Sequence, residues 1–532
     1  MTSSFLRKFR ILFSTIVLIC FICVFADFRA VIPEKYVDFL LYLQFVPSAL
    51  KYINLMTMLA GGFLIVLMLT LLTGRTYCSF LCPLGIGQDY FSRMGERVKR
   101  KFGRYGYKKP HTLIRYTLLA LTLGTAVFWG LYLVTLLDPY SIFGRFMTYF
   151  GKPIILLVNN FLTWVLGKFD VYTLHHVDIR AFNPLSYAVP TVFLLLVGIM
   201  SFVKGRLYCN MICPVGTFLG LISKVSIFRV KFKESKCTRC GRCSLRCKSS
   251  CIDFLNYNID VSRCVNCFNC IDVCPEKALS YGFIASGEKV EKPEKVEKPE
   301  KAEKTDKGRR KFVAGSLLMF LGISHGAGGQ EKKGTVVPAK ASSVKEPRTY
   351  PVCPPGAGSF EEFTEKCTAC SLCINACPND VLQPAIKQYG ISGFMQPVMD
   401  YHRGFCAFNC TRCTEICPTN ALKPLLLEAK KLTQIGKVVF IKDNCIVKTE
   451  KTACGACSES CPTKAVYMVP YEDNLVIPET NQDICIGCGH CEYACPVTPY
   501  KAIFVDGNPV HVAATKPEIK ETEITTPEEF PF

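Results

Sequence analysis

The sequence predicts a multi-domain chain in which an α-helical transmembrane bundle is joined to small α+β units organised by clustered cysteines. Three observations predict it. Within residues 1–230, apolar runs long enough to cross a bilayer alternate with basic loops. The 32 cysteines recur in compact groups that mostly close with Cys-Pro, which is metal-site spacing and not the disulfide framework of a short secreted domain. The phrase "GRTYCSFLCPLG" at 74–85 returns as "GRLYCNMICPVG" at 205–216, each time at the end of an apolar run, so the bundle reads as two copies of a helix pair. At 532 residues, 50% of them apolar, the chain exceeds one ordinary domain. Much of the net charge of +20 lies beside the apolar runs, where membrane orientation accounts for it and nucleic acid is not required as a partner.

Residues 1–230 form a membrane domain with four expected transmembrane helices: Ile11 to about Phe28, uncleaved; Ile53 to Thr73; Leu113 to Leu137; and Tyr187 to Val203. The apolar stretch 153–167 is short for a crossing and is expected at the outer interface. Loop 93–111 holds eight Lys or Arg against one Glu, and Lys204, Arg206 and Lys224 follow the fourth span. Four crossings put all of these basic residues in the cytoplasm. Cys20 and Cys23 inside the first span are expected to be apolar filler.

Residues 231–286 carry two four-cysteine motifs, Cys237, Cys240, Cys243, Cys247 and Cys264, Cys267, Cys270, Cys274. Three thiolates spaced C-x2-C-x2-C supply three corners of a [4Fe–4S] cube, and in two-cluster ferredoxins the closing Cys ligates the partner cluster. Cys274 is therefore expected to close the first site and Cys247 the second. Lys248 stands where Pro usually follows, and Cys251, four residues after Cys247, is an alternative ligand or a small buried residue.

A charged linker spans 287–308, and Arg309 and Arg310 open a twin-arginine-like signal or anchor helix at 309–330. A four-cluster unit covers 348–506, with Cys367, Cys370, Cys373, Cys377; Cys406, Cys410, Cys413, Cys417; Cys445, Cys454, Cys457, Cys461; and Cys485, Cys488, Cys491, Cys495. All four motifs close with Pro, and their pairing is open at this stage. Cys353 reads as a non-ligand, and the tail 515–532 as disordered. Structural zinc would want separated CxxC knuckles. About six [4Fe–4S] clusters follow, and the fold class is a transmembrane helical bundle plus α+β bacterial-type [4Fe–4S] ferredoxin domains. There is no CxxCH, Walker loop or Gly-rich dinucleotide fingerprint.

The repeated phrase places Cys78 and Cys82, and Cys209 and Cys213, at the cytoplasmic ends of the second and fourth spans. If a pseudo-two-fold axis relates the halves, the four thiols meet near it as a metal site or thiol/disulfide switch. Turn-forming motifs with buried thiols are the plainer expectation. Arg75 and Arg206 would bind lipid headgroups or a quinone oxygen, or simply anchor their helices.

Residues 1–282, with two CxxxCP phrases and a two-cluster tail, resemble the NapH family of membrane ferredoxins. Residues 309–506, with the twin arginines, "CPPGAGSFEEFTEKCTACSLCINACP" and "CIGCGHCEYACP", resemble the NapG/MauM family. The chain looks like a fusion of the two. The resemblance implies a quinol dehydrogenase component of the bacterial inner membrane, with its two-cluster domain cytoplasmic and its four-cluster domain periplasmic. Electrons from quinol would pass through the clusters to a periplasmic redox partner such as a nitrate reductase. No residue is assigned as catalytic. Two alternatives remain: an accessory electron donor for maturation of a periplasmic metalloenzyme, and cytoplasmic ferredoxin:quinone electron transfer.

Overall fold

Helix α1, Ser3–Ala26, opens the chain with a basic first part, Arg7, Lys8 and Arg10, and is largely apolar from Ile11 onward. It is followed by α2 (Glu34–Tyr42), α3 (Phe45–Leu55) and α4 (Gly62–Thr73). The short turn α5 (Tyr77–Phe80) and the long α6 (Pro83–Val98) complete the first half. The second half comprises α7 (Thr112–Phe128), α8 (Tyr132–Leu137), α9 (Pro139–Phe146), α10 (Lys152–Gly167), α11 (Pro184–Lys204), α12 (Leu207–Met211) and α13 (Pro214–Ser223). The structure is a computed structural model and describes residues 3–27, 31–56, 61–98, 105–177, 184–283 and 344–516. The linker 287–308, the stretch 309–330 with Arg309 and Arg310, and the tail from 517 lie outside the described residues.

Among the described residues, three helices are long and apolar enough to cross a membrane: Phe5–Ala26, Pro139–Gly167 and Pro184–Lys204. The first and third cover the expected first and fourth spans. The expected second span is not one helix, because α3 ends where Met56 turns left-handed (φ 52°) and α4 is only 12 residues long. The expected third span is broken at Gly130 (φ 89°), which separates α7 from α8. Stretch 153–167 is longer than expected: Asp138 caps α9 by accepting from the Ser141 amide at 2.7 Å, Pro139 sits at its first turn, and a π-helical turn, Met147–Gly151, carries the helix on into α10.

The soluble parts are small α+β modules. In the first, β1 (Phe228–Phe232) pairs antiparallel with β4 (Leu279–Phe283) and β2 (Ile252–Asp253) with β3 (Asn258–Ile259), flanked by α14 (Arg242–Arg246) and α15 (Asn269–Val273). In the second, β5 (Leu382–Pro384) pairs with β6 (Pro397–Met399), β7 (Thr433–Phe440) with β10 (Ile503–Ala513), and β8 (Val466–Pro470) with β9 (Val476–Thr480). Two-stranded sheets of this kind are marginal in water by themselves. Their cores are instead rich in cysteine: one holds Cys445, Cys457, Cys461, Cys485, Cys491 and Cys495.

The two modules meet opposite ends of α1. Near its start, Arg7 pairs with Asp272 of the first module. Near its end, the Phe25 carbonyl accepts from Asn375 Nδ2 at 2.6 Å, and Asp27 lies 3.6 Å from Arg412. Eighteen residues of helix separate Arg7 from Phe25, about 27 Å of axial rise. The second module is also tied down by Asn54 to the Thr419 carbonyl at 2.7 Å and by Lys152 to the Asn375 carbonyl at 2.8 Å.

One pH effect arises in β10. His511 is half-buried with both ring nitrogens shielded from solvent, neither has a partner among the described residues, and desolvation pushes its pKa down to about 4. The folded state therefore resists protonation while the unfolded chain takes up a proton below about 6.5. Stability from this residue is full above that pH and is lost as pH falls toward 4. Between pH 6.5 and 5.5 the loss is about 1 kcal/mol. His511→Gln should flatten that part of the melting-midpoint profile, and an unchanged slope would disprove it.

Candidate iron–sulfur sites and a four-thiol centre in the helical bundle

In the first module Cys237, Cys240 and Cys243 line one cavity with Cys274. Cys264, Cys267 and Cys270 line another with Cys247 and Cys251. In the second module Cys367, Cys370 and Cys373 face Cys417, and Cys406, Cys410 and Cys413 face Cys377. Cys445 and Cys457 have Cys495 as an electrostatic neighbour, and Cys485 and Cys491 have Cys461. The motifs of the second module thus close one another as sequence neighbours, a choice the spacing had left open. Its two halves meet where the Cys406 amide donates to the Cys488 carbonyl at 2.9 Å.

Local backbone brings three thiols of a motif to one point. In four motifs the second and fourth residues after the first Cys are left-handed: Arg239 and Gly241, Asn266 and Phe268, Ala369 and Ser371, Gly487 and Gly489. Non-glycine residues pay about 1 kcal/mol each for this, a strain that persists when the surroundings over-determine it. Backbone amides then point at sulfur: Ala278 at Cys274 (3.3 Å), Ala369 at Cys367 (3.4 Å), Leu422 at Cys417 (3.4 Å) and Gly487 at Cys485 (3.4 Å). Burial pushes the Cys243 thiol up to about 11 and the Cys370 and Cys457 thiols to about 12. As free thiols they would stay protonated at neutral pH, and a metal is what removes those protons. Convergent thiols with N–H donors aimed at sulfur fit a thiolate-ligated iron–sulfur cluster.

Cys251 is fully buried with its Sγ 3.5 Å from that of Cys247, so five thiols line the second site and either Cys can supply the fourth ligand. Lys248 explains the departure from Cys-Pro. Its side chain is buried and lies 3.5 Å from Asp89, and its carbonyl accepts from the Arg206 amide at 3.0 Å. Cys353 is buried in the core that holds Cys367 and Tyr389. Cys20 and Cys23 are exposed on α1.

Within the helical bundle the two repeated phrases interlock. Arg206 Nη1 donates to the Cys78 carbonyl at 2.6 Å, and Arg75 Nη2 donates to the Cys209 carbonyl at 3.1 Å, so each arginine braces the other half. Neither is an interfacial anchor, since both are fully buried. Cys82 and Cys213 precede the prolines that start α6 and α13, and their sulfurs accept from the Gly85 and Gly216 amides at 3.4 and 3.3 Å. All four thiols are buried in one core and lie within electrostatic reach of one another. The same core contains Cys267 of the first module and Cys370 of the second.

Residues 55–104 and 185–233, the two halves of the repeat, match a 4Fe-4S binding domain model. Residues 366–421 and 452–498 match a 4Fe-4S dicluster domain model; the first stretch encloses two neighbouring motifs, and the second encloses the fourth motif and all of the third except Cys445. The ferredoxin-type protein NapF of Escherichia coli strain K12 is 29% identical over 152 residues, 29% of this chain and 84% of that protein. An uncharacterised protein of Methanocaldococcus jannaschii is 27% identical over 229 residues, 43% of this chain and 72% of its own. The methylamine utilization ferredoxin-type protein MauM of Methylophilus methylotrophus is 31% identical over 170 residues, 30% of this chain and 69% of that protein. The chain belongs to the ferredoxin-type family that includes MauM. No solved structure matches it. It is an iron–sulfur electron-transfer protein.

Three residues of this ferredoxin-type protein escaped the sequence reading. Asp89 is the shared partner of Arg10 (2.6 Å), Arg206 (2.9 Å) and Lys248 (3.5 Å), and no motif marks a lone Asp in an amphipathic helix. Gln88 donates to Cys209 Sγ at 3.3 Å and lines a small apolar cavity of about 60 Å³ between α6, α9 and α11, with Leu84, Phe91, Phe146, Phe193 and Val197. Asp138, buried beyond the thiols, lies close to both Tyr208 and Tyr140, and Tyr140 in turn adjoins Cys370.

Proposed function

We propose that the chain is a membrane-bound electron conduit, combining a NapH-type membrane part with a NapG/MauM-type four-cluster part, that takes electrons from quinol and delivers them to a periplasmic reductase. The observation that carries this reading is the single buried core that includes Cys267, the four bundle thiols and Cys370. Anchoring of the two modules at opposite ends of α1 supports their lying on opposite sides of the bacterial inner membrane. Six four-thiolate sites would hold about six [4Fe–4S] clusters, which supply one-electron transfer when bound. The chain's own residues hold them at fixed places, exclude water, and aim N–H donors at sulfur.

Quinol entry fits the apolar cavity beside Gln88. The residue is 1% exposed, its amide nitrogen is occupied by Cys209, and its Oε1 has no partner among the described residues. That oxygen can accept from a quinol hydroxyl. Purified protein in proteoliposomes, supplied with a reduced quinol analogue and a membrane-impermeant ferric acceptor, should reduce the acceptor. Gln88→Leu should raise the half-saturating quinol concentration about tenfold, the worth of one hydrogen bond at about 1.4 kcal/mol, with dithionite-reducible cluster content unchanged. Wild-type protein that never reduces the acceptor would end the quinol reading, and an unaltered Gln88→Leu would move quinol elsewhere.

Similarity to MauM favours one second reading, an accessory donor for maturation of a periplasmic metalloenzyme, which calls for turnover far below respiratory flux. A reporter fused after Phe532 should be periplasmic in both readings. A cytoplasmic reporter would favour ferredoxin:quinone transfer instead.

A further inference from the structure

We propose that Lys430 is a positioning residue for electron transfer, a fixed positive charge that makes the site of Cys406, Cys410, Cys413 and Cys377 the more easily reduced member of its pair. The inference needs only the iron–sulfur reading of the second module and holds whatever feeds electrons to the chain.

Lys430 lies in the short helix Leu427–Leu432 and is 3% exposed, a burial that lysine seldom accepts. Its ammonium donates to the Ala407 carbonyl at 2.6 Å and to the Phe408 carbonyl at 3.0 Å, the two residues that follow Cys406. The Cys406 side chain is its third acceptor. An ammonium has three donors and no acceptor, so every N–H is used on the loop that carries the first ligand of the motif. The charge is pinned there and does not reach water.

The neighbouring cations are answered by carboxylates. Lys431 pairs with exposed Glu428 at 3.0 Å, Arg403 lies 3.8 Å from Asp400, and Arg412 lies 3.6 Å from Asp27 and 3.7 Å from Glu415. Among the described residues Lys430 alone of these four has no carboxylate partner. Across the seam between the two halves of the module it is within electrostatic reach of His490, whose Nδ1 lies 3.3 Å from Cys488 Sγ. At the paired site of Cys367, Cys370, Cys373 and Cys417, by contrast, the buried cation near Cys370 is Arg145, and it faces Asp138.

A buried cation without a carboxylate is offset by whatever negative charge its surroundings offer, and at Lys430 that charge belongs to the ligand thiolates. Gaining one electron makes a site one unit more negative, which an uncompensated positive charge in a water-poor surround favours. An electron at the Cys370 site is therefore drawn to the Cys406 site, the first being reoxidised as the second is reduced. From there the Cys406 amide, bonded to the Cys488 carbonyl, adjoins the other half.

Redox titration of anaerobically purified full-length protein, read by EPR, tests this without quinol, so its failure is separable from failure of the conduit reading. A Cys410→Ser variant marks the signal of the Cys406 site, and Cys367→Ser that of its pair. Lys430→Met should lower the midpoint potential of the first signal and leave the others in place, at wild-type iron content. Lys430→Arg, which keeps the charge, should restore most of it. Lys437→Met, the same change of charge at an exposed position of β7, should shift nothing, because water and salt screen it. If Lys430→Met does not accumulate, Lys430→Gln replaces it, since an amide still donates to the two carbonyls. If neither accumulates, the wild type decides, with the Cys406 site titrating above the Cys370 site. An unshifted Lys430→Met, equal shifts in Lys430→Arg and Lys430→Met, or the reverse order in the wild type would each overturn the proposal.

Discussion

Asp89→Asn should fail to accumulate as folded, cluster-loaded protein. The carboxylate is 4% exposed and binds Arg10 of α1, Arg206 of the second half and Lys248 of the first module. It is the point at which three separate parts of the chain are neutralised together. Removing one partner of a buried ion pair costs about 3–5 kcal/mol because the other charge is left in low dielectric, and here three cations are left at once. Whole domains are stable by only about 5–15 kcal/mol. The loss should show first as missing iron at the site of Cys264, Cys267 and Cys270, since Lys248 docks that loop. By contrast, Glu428→Ala, which breaks an exposed pair with Lys431, should change the melting midpoint by an amount equivalent to less than about 1 kcal/mol. An Asp89→Asn protein with wild-type iron and midpoint would refute this role.

Gly85→Ala and Gly216→Ala should be nearly as damaging. A Cβ at Gly85 would lie 2.2 Å from the Cys78 carbonyl oxygen and 2.9 Å from Arg206 Nη1; at Gly216 it would lie 2.2 Å from the Cys209 carbonyl oxygen and 2.9 Å from Arg75 Nη2. The obstruction is backbone on one side and a braced arginine on the other, so neither can give cheaply. Overpacking of this kind costs about 1–3 kcal/mol or more, and each substitution also pushes the bracing arginine off its carbonyl. Gly124→Ala, in α7 with nothing among the described residues within 4 Å of its Cβ, should instead be neutral or stabilising by up to about 1 kcal/mol. Measured melting midpoints and iron content for the three variants check the ordering; equal behaviour would contradict the interlock.

Much of the candidate site was legible because ligand chemistry is local. Cys237, Cys240 and Cys243 lie in one tight loop whatever the tertiary fold, and the closing role of Cys274 follows from the two-motif pattern. The repeated phrase likewise announced paired halves, and the structure packs Cys78, Cys82, Cys209 and Cys213 in one core. Pairing in the second module was not legible, since Cys377 can close any motif the chain brings near it and spacing says nothing of that. Helix lengths misled for a backbone reason. The run from Leu113 to Leu137 is apolar throughout, yet Gly130 takes a left-handed turn inside it, and hydropathy does not register φ. Stretch 153–167 misled in the other direction, because Asp138 and Pro139 start its helix well upstream. Lys248 in place of Pro looked like a defect in a motif; only the buried Asp89 shows what it answers.

Quinol-driven reduction of the clusters, followed by anaerobic EPR in membranes containing the full-length chain, tests the conduit most directly. Addition of a reduced quinol analogue should bring up cluster signals from both modules, including those lost in a Cys485→Ser variant, the site farthest along the second module that still adjoins Cys406 through Cys488. Clusters that dithionite reduces but quinol leaves oxidised would contradict it.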